Sequence, residues 1–178
     1  SDAAKAGTFW EMPFFNKIND EDYLLVVTPQ FRSKPAETIY WVGSFDGRHF
    51  TPYDEAPKRF EHLSRHLLSP AIGLDKENQL AYSGIIPEDR DPALQIKAGW
   101  RHIFSIPRSL RLLDDKKTIG HIPHPNICRA RDNEVLVEDR SISAGTSFNL
   151  PEYRGSQSEL YFKLYTSGVD EFKIQVFK

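Results

Sequence analysis

Thr38-Ile39-Tyr40-Trp41-Val42-Gly43-Ser44-Phe45-Asp46-Gly47-Arg48-His49-Phe50 is the stretch that decides the fold class of this chain. β-Branched and aromatic residues run from Thr38 to Phe45, and Asp46-Gly47 closes the run. Asp-Gly readily takes the positive φ angles that a tight turn between antiparallel strands requires. The stretch therefore reads as a β-hairpin.

The same punctuation recurs on both sides. Short apolar or β-branched runs are expected as strands at 23–28, 38–45, 66–74, 79–86, 100–106, 135–142, 160–166 and 172–177, separated by Gly, Pro, Asn and Asp clusters. The last run alternates, with Phe172, Ile174 and Val176 set against Lys173, Gln175 and Phe177. Only 57–64 reads as a turn or two of helix. The fold class is all-β. Up to about residue 125 the strands fall in pairs joined by tight turns, as in propeller blades. Beyond it they are longer and more alternating, as in a β-sandwich. His121-Ile122-Pro123-His124-Pro125 lies between the two patterns, stiffened by its prolines. The expected domains are a partial propeller over 1–122, then a connector and the start of a sandwich over 123–178.

Composition narrows the function classes. A formal net charge of −2 gives no electrostatic case for nucleic acid or an anionic membrane. No apolar run approaches the roughly 20 residues of a membrane helix. The N-terminus lacks the basic segment and apolar core of a signal peptide. Cys128 is the only cysteine, which excludes an internal disulfide and a multi-cysteine metal site. It is expected to be a packed small residue. His62 and His66 stand four apart, a zinc spacing on a helix, but 66 falls in an expected strand and no third ligand stands nearby. No metal and no cofactor are expected.

Glu11 carries the chemistry. Phe9, Trp10, Met12, Pro13 and Phe14 flank it. In so apolar a setting a carboxyl group resists ionisation, as a general acid must. Local context supports equally a strand glutamate with its head in solvent.

Trp10-Glu11-Met12-Pro13 resembles the Trp-Glu-Cys-Pro motif of glycoside hydrolase family 32, which includes invertases, levanases and inulinases. Three further segments are similar to that family in the same order: Tyr40-Trp41-Val42-Gly43-Ser44-Phe45-Asp46-Gly47 with Phe50, the stretch from Ala98-Gly99-Trp100 to Ser105-Ile106-Pro107-Arg108, and Ile122-Pro123-His124-Pro125 with Arg131. The resemblance implies the later blades of a five-bladed β-propeller followed by part of a β-sandwich. It also implies a retaining cleavage of fructosyl linkages by two carboxylates about 5–5.5 Å apart. Glu11 matches the acid/base. The family's nucleophile lies in an early Trp-Met-Asn-Asp-Pro-Asn-Gly-like segment that nothing here matches. The missing blades are therefore expected from outside this chain or from a partner, and the chain alone is expected to be inactive. Its partner would be a fructose-containing sugar, and its setting secreted or periplasmic.

Two departures concern the site. Met12 replaces the motif's cysteine. His66-Leu67-Leu68-Ser69-Pro70 stands where many members have Asp-Phe-Tyr-Ala, so His66 and Ser69 become candidate sugar contacts, with an ordinary strand as the alternative. Arg90-Asp91-Pro92 matches the family's sugar-holding Arg-Asp-Pro in letters only. In the family that motif precedes the glutamate, whereas here it follows, in a polar stretch expected to be an exposed loop. The rival to a fructosidase is a non-catalytic carbohydrate-binding module derived from one.

Overall fold

The computed structural model describes residues 7–31, 36–61, 67–149, 158–168 and 171–174. They divide into two units, one ending at Ala130 and one beginning at Arg131.

Two antiparallel sheets make up the first unit. In the first, β1 (Phe9–Lys17), β2 (Tyr23–Gln30), β3 (Ile39–Phe45) and β4 (Phe50–Pro52) lie side by side, and β5 (Lys58–Arg59) also pairs with β3. In the second, β6 (Leu68–Leu74), β7 (Leu80–Ile86), β9 (Arg108–Leu112) and β10 (Ile119–Pro123) follow in order, and β8 (Ile103–Phe104) pairs with β7. Each sheet is a meander, the arrangement of a propeller blade. The all-β class holds.

The Asp46-Gly47 turn forms as its residues dictate. Gly47 takes φ 94°, and Asp46 Oδ1 accepts from the backbone N–H groups of Arg48 and His49 at 2.7 Å each. Those donors, His49 foremost, hold the Asp46 carboxyl below the usual carboxylate range. Leu24 pairs with Val42 and Val26 with Tyr40, so the even-numbered residues of β2 and β3 share one face. That face joins Phe60, Leu67, Leu80, Tyr82, Leu110 and Ile119 in a single buried core between the sheets. The opposite face of the first sheet is aromatic: Phe15 packs on Tyr23, Phe45 and Phe50 at centroid distances of 5.2–5.5 Å.

Several expectations need correction. Within 57–64 the structure has strand β5 and a buried Phe60 rather than a helix, and 62–64 lie outside the described residues. The helix is instead α1 (Pro92–Ala98), which starts at the last residue of the polar stretch expected to be an exposed loop, 87–92. Of 100–106 only β8 is a strand. β9 and β10 fall outside the runs expected as strands, while β1 follows the reading of Glu11 as a strand glutamate with its head in solvent. Cys128 is exposed, in a 3₁₀ helix over Pro125–Ala130, rather than packed.

In the second unit no described residue is in a strand, so the strands expected at 135–142 and 160–166 are not formed. Residues 172–174 are likewise not strand, and 175–177 lie outside the described residues. Alternation suits a residue run to a half-buried strand, but the ladder of N–H and C=O groups needs a neighbouring strand to exist. Leu136, Tyr161 and Tyr165 remain 82%, 80% and 92% exposed. Contacts among the described residues here include a bidentate pair, Arg131 donating to Glu159 through Nε at 2.8 Å and Nη2 at 2.6 Å, and the Phe162 and Phe172 rings 5.9 Å apart.

Candidate active site

β1 presents Glu11 through a bulge. Glu11 pairs with Thr28, and the next pair is Phe14 with Val26, so β1 spends one residue more than β2 between them. Met12 absorbs the irregularity at φ 48°, and Pro13, which has no N–H to offer a ladder, follows it. Opposed residues share a face, so the extra residue puts both Glu11 and Phe14 on the side of Thr28 and Val26. Phe14 packs against the core there. Thr28 is buried, 2.9 Å from the Thr38 hydroxyl, which in turn donates to the Leu67 carbonyl at 3.0 Å.

The apolar pocket expected around Glu11 is not formed by its sequence neighbours. Glu11 is exposed, and Phe9, Trp10 and Met12 remain 56%, 44% and 49% exposed. Strand alternation explains part of this. Trp10 turns to the other face of the sheet, where its ring lies 6.0 Å from that of Trp41. The carboxylate itself is held: Gln30 Nε2 donates to Glu11 Oε2 at 2.7 Å.

β6 repeats the device. Its register against β7 shifts between Leu68 and Ala71, Ser69 takes φ 46°, and Pro70 follows. A non-glycine residue at positive φ immediately before a proline is uncommon, and here it occurs at the matching place of both sheets' first strands. β1 touches β6 across the two sheets, so the two bulged strands are neighbours. Ser69 is half-buried within this arrangement. His66 lies outside the described residues, as does His62.

Arg90-Asp91-Pro92 is a helix start. Asp91 is the N-cap of α1, its Oδ1 accepting from Ala93 N–H at 2.8 Å, with Pro92 in the first turn and Gly99 closing the helix in the left-handed region. Arg90 pairs with Glu88 and stacks 3.8 Å from the centre of the Trp100 ring. These contacts account for the segment without a sugar.

A polar chain unforeseen from the sequence links the sheets. Arg108 on β9 pairs with Glu61, which follows β5, and donates to Tyr82 Oη at 3.0 Å. The Tyr82 hydroxyl is 2.6 Å from His121 Nδ1 on β10. Burial pushes the Tyr82 hydroxyl up to about 12. Glu61, Arg108 and His121 border a cavity of about 360 Å³ between the sheets. The one available signal was Arg108 itself, a charge ending an apolar run. His124 is separately engaged, 3.2 Å from Asp75 Oδ2. No group of three metal-ligating side chains occurs among the described residues.

Residues 1–123 match the profile described as the Glycosyl hydrolases family 32 N-terminal domain. Over 164 residues the chain is 25% identical to the sucrose:sucrose 1-fructosyltransferase of Festuca arundinacea, covering 85% of this chain and 25% of that protein. The chain thus spans about a quarter of this curated relative. Among solved structures, fructan 1-exohydrolase IIa from Cichorium intybus superposes with a TM-score of 0.59 at 20% identity, over 71% of this chain and 27% of that one. A GH32 β-fructofuranosidase from Bombyx mori gives 0.60 at 20% identity, over 74% and 29%. A substituted variant of the Cichorium intybus protein has been solved in complex with 1-kestose, and one of the Bombyx mori protein in complex with sucrose. At these identities the two structures establish a shared fold.

Proposed function

Because the chain belongs to glycosyl hydrolase family 32, we propose that it forms part of an enzyme that cleaves terminal fructosyl linkages in sucrose or fructans, with Glu11 as the acid/base. The observation that carries this reading is the place of Glu11. It sits at the bulge of β1, the strand that lies against β6, with its carboxyl group exposed and held by Gln30.

In a retaining mechanism the second carboxylate attacks the anomeric carbon of the fructosyl unit while Glu11 protonates the departing oxygen. Glu11, now ionised, takes a proton from water, which attacks the same carbon and frees fructose and the nucleophile. The early segment that supplies the nucleophile in this family has no match in residues 1–178, so that carboxylate comes from outside them. This chain alone therefore turns nothing over.

The test is an assay of the full-length natural protein on sucrose, inulin and levan beside its Glu11→Gln variant. Hydrolysis should fall by roughly 10²–10⁴-fold, the usual worth of a general acid/base. Unchanged rates would overturn the assignment. Trp10, exposed beside the half-buried Trp41, favours a second reading, a non-catalytic carbohydrate-binding module. In that case the natural protein binds fructans and releases no fructose.

A further inference from the structure

We infer that Gln30 is the positioning residue of the acid/base, committing one oxygen of Glu11 as an acceptor and leaving the other to carry the proton. The inference rests on the reading of Glu11 given above.

Gln30 stands two residues beyond Thr28, the partner of Glu11, and side chains two apart on a strand share a face. Diagonal neighbours of this kind lie within reach of long side chains. The amide uses that reach, donating from Nε2 to Glu11 Oε2 at 2.7 Å.

The backbone of Gln30 is itself pinned. Its carbonyl accepts from Thr8 N–H at 2.8 Å and from the Thr8 hydroxyl at 3.1 Å. Gly7 makes this convergence possible. It adopts φ +88°, and a Cβ there would lie 2.6 Å from the Gln30 oxygen. The segment before β1 thus fixes Gln30, and Gln30 fixes Glu11.

An amide N–H donates and cannot accept. Bound to it, Oε2 is an acceptor in both protonation states of Glu11. The proton given to the leaving oxygen, and later taken from water, then resides on Oε1. The amide is also uncharged, so it orients the carboxyl group in both halves of the reaction without changing its own ionisation.

The experiment compares Gln30→Leu, Gln30→Glu and Glu11→Gln in the full-length natural protein. Each is measured as kcat/KM against pH, with sucrose and with an aryl β-fructoside whose acidic phenol leaves without protonation. For Gln30→Leu we expect a loss on the order of tenfold on sucrose, the worth of one hydrogen bond to a charged group, and little loss on the aryl substrate. Gln30→Glu, which offers the carboxylate a like charge in place of a donor, should lose at least as much on sucrose. If Glu11→Gln is inactive on sucrose while Gln30→Leu keeps its rate, Gln30 does nothing for catalysis. Equal losses on both substrates reduce Gln30 to a structural role and also overturn the inference. An active Glu11→Gln variant removes the underlying reading instead, and the two failures are distinguished by that variant alone.

Discussion

The Tyr82 hydroxyl lies 2.6 Å from His121 Nδ1, joining the middle of β7 to the middle of β10. Arg108 donates to the same hydroxyl at 3.0 Å and pairs with Glu61 as well, so one guanidinium ties the Tyr82–His121 contact to the segment after β5. Phe60 packs edge-on against Tyr82 at 4.9 Å and tilted against His121 at 5.0 Å, an apolar ring beside the polar chain.

Removing the hydroxyl should cost stability out of proportion to its size. Tyr82→Phe takes away the hydroxyl that accepts from Arg108 and meets His121 Nδ1, at the half-buried join of the two sheets. A cost of about 1–3 kcal/mol is expected, read as a lower Tm or urea midpoint. An unchanged midpoint would show that other groups satisfy both atoms.

The same tyrosine sets an alkaline limit. Burial raises its ionisation from 10.0 to about 12 in the folded state. Between those values the unfolded chain gives up the proton and the folded chain keeps it, so stability falls as pH rises through that window. Denaturant melts from pH 9 to pH 12 should show this slope, and Tyr82→Phe should flatten it.

Asp91 should matter to a helix and not to catalysis. Asp91→Ala removes the cap of α1 at a cost of about 1 kcal/mol. Fructosyl hydrolysis by the full-length protein should be unchanged. A catalytic loss with no change in Tm would return Arg90-Asp91-Pro92 to the sugar site.

Gly43 should tolerate no side chain. A Cβ at this position would lie 2.2 Å from the Thr51 carbonyl oxygen and 2.7 Å from Pro52 Cα, both backbone atoms of the neighbouring strand. Gly43→Ala should therefore destabilise by roughly 1–3 kcal/mol, visible in a thermal melt. The close approach of β4 to β3 gives this glycine of the hairpin its physical reason.

Local chemistry was legible residue by residue. Asp46-Gly47 was read as a turn and is one, because its preference lies in the backbone of those residues. Strands β2, β3, β6 and β7 fall where the apolar runs stand, within a few residues. α1 was missed although its punctuation is complete, Asp91-Pro92 at one end and Gly99 at the other. What hid it was the lack of a buried face: Leu94 and Ile96 are 54% and 81% exposed, so no core-facing periodicity marks the helix. The strands expected beyond residue 131 failed for the opposite reason. Their pattern is present, but among the described residues no neighbour pairs with it.

The candidate site divides along the same line. By itself the sequence determined that Glu11 is the carboxyl group to consider, since the four-residue motif and the ordered segments after it are one-dimensional facts. Only the tertiary structure decided that Met12-Pro13 and Ser69-Pro70 each stand at a bulge, in two strands that touch. Only there does Glu11 lose its sequence neighbours and gain Gln30. The physical reason is that a strand sends successive side chains to opposite faces. Nearness along the chain therefore sets which residues part, and pairing with the next strand sets which residues meet.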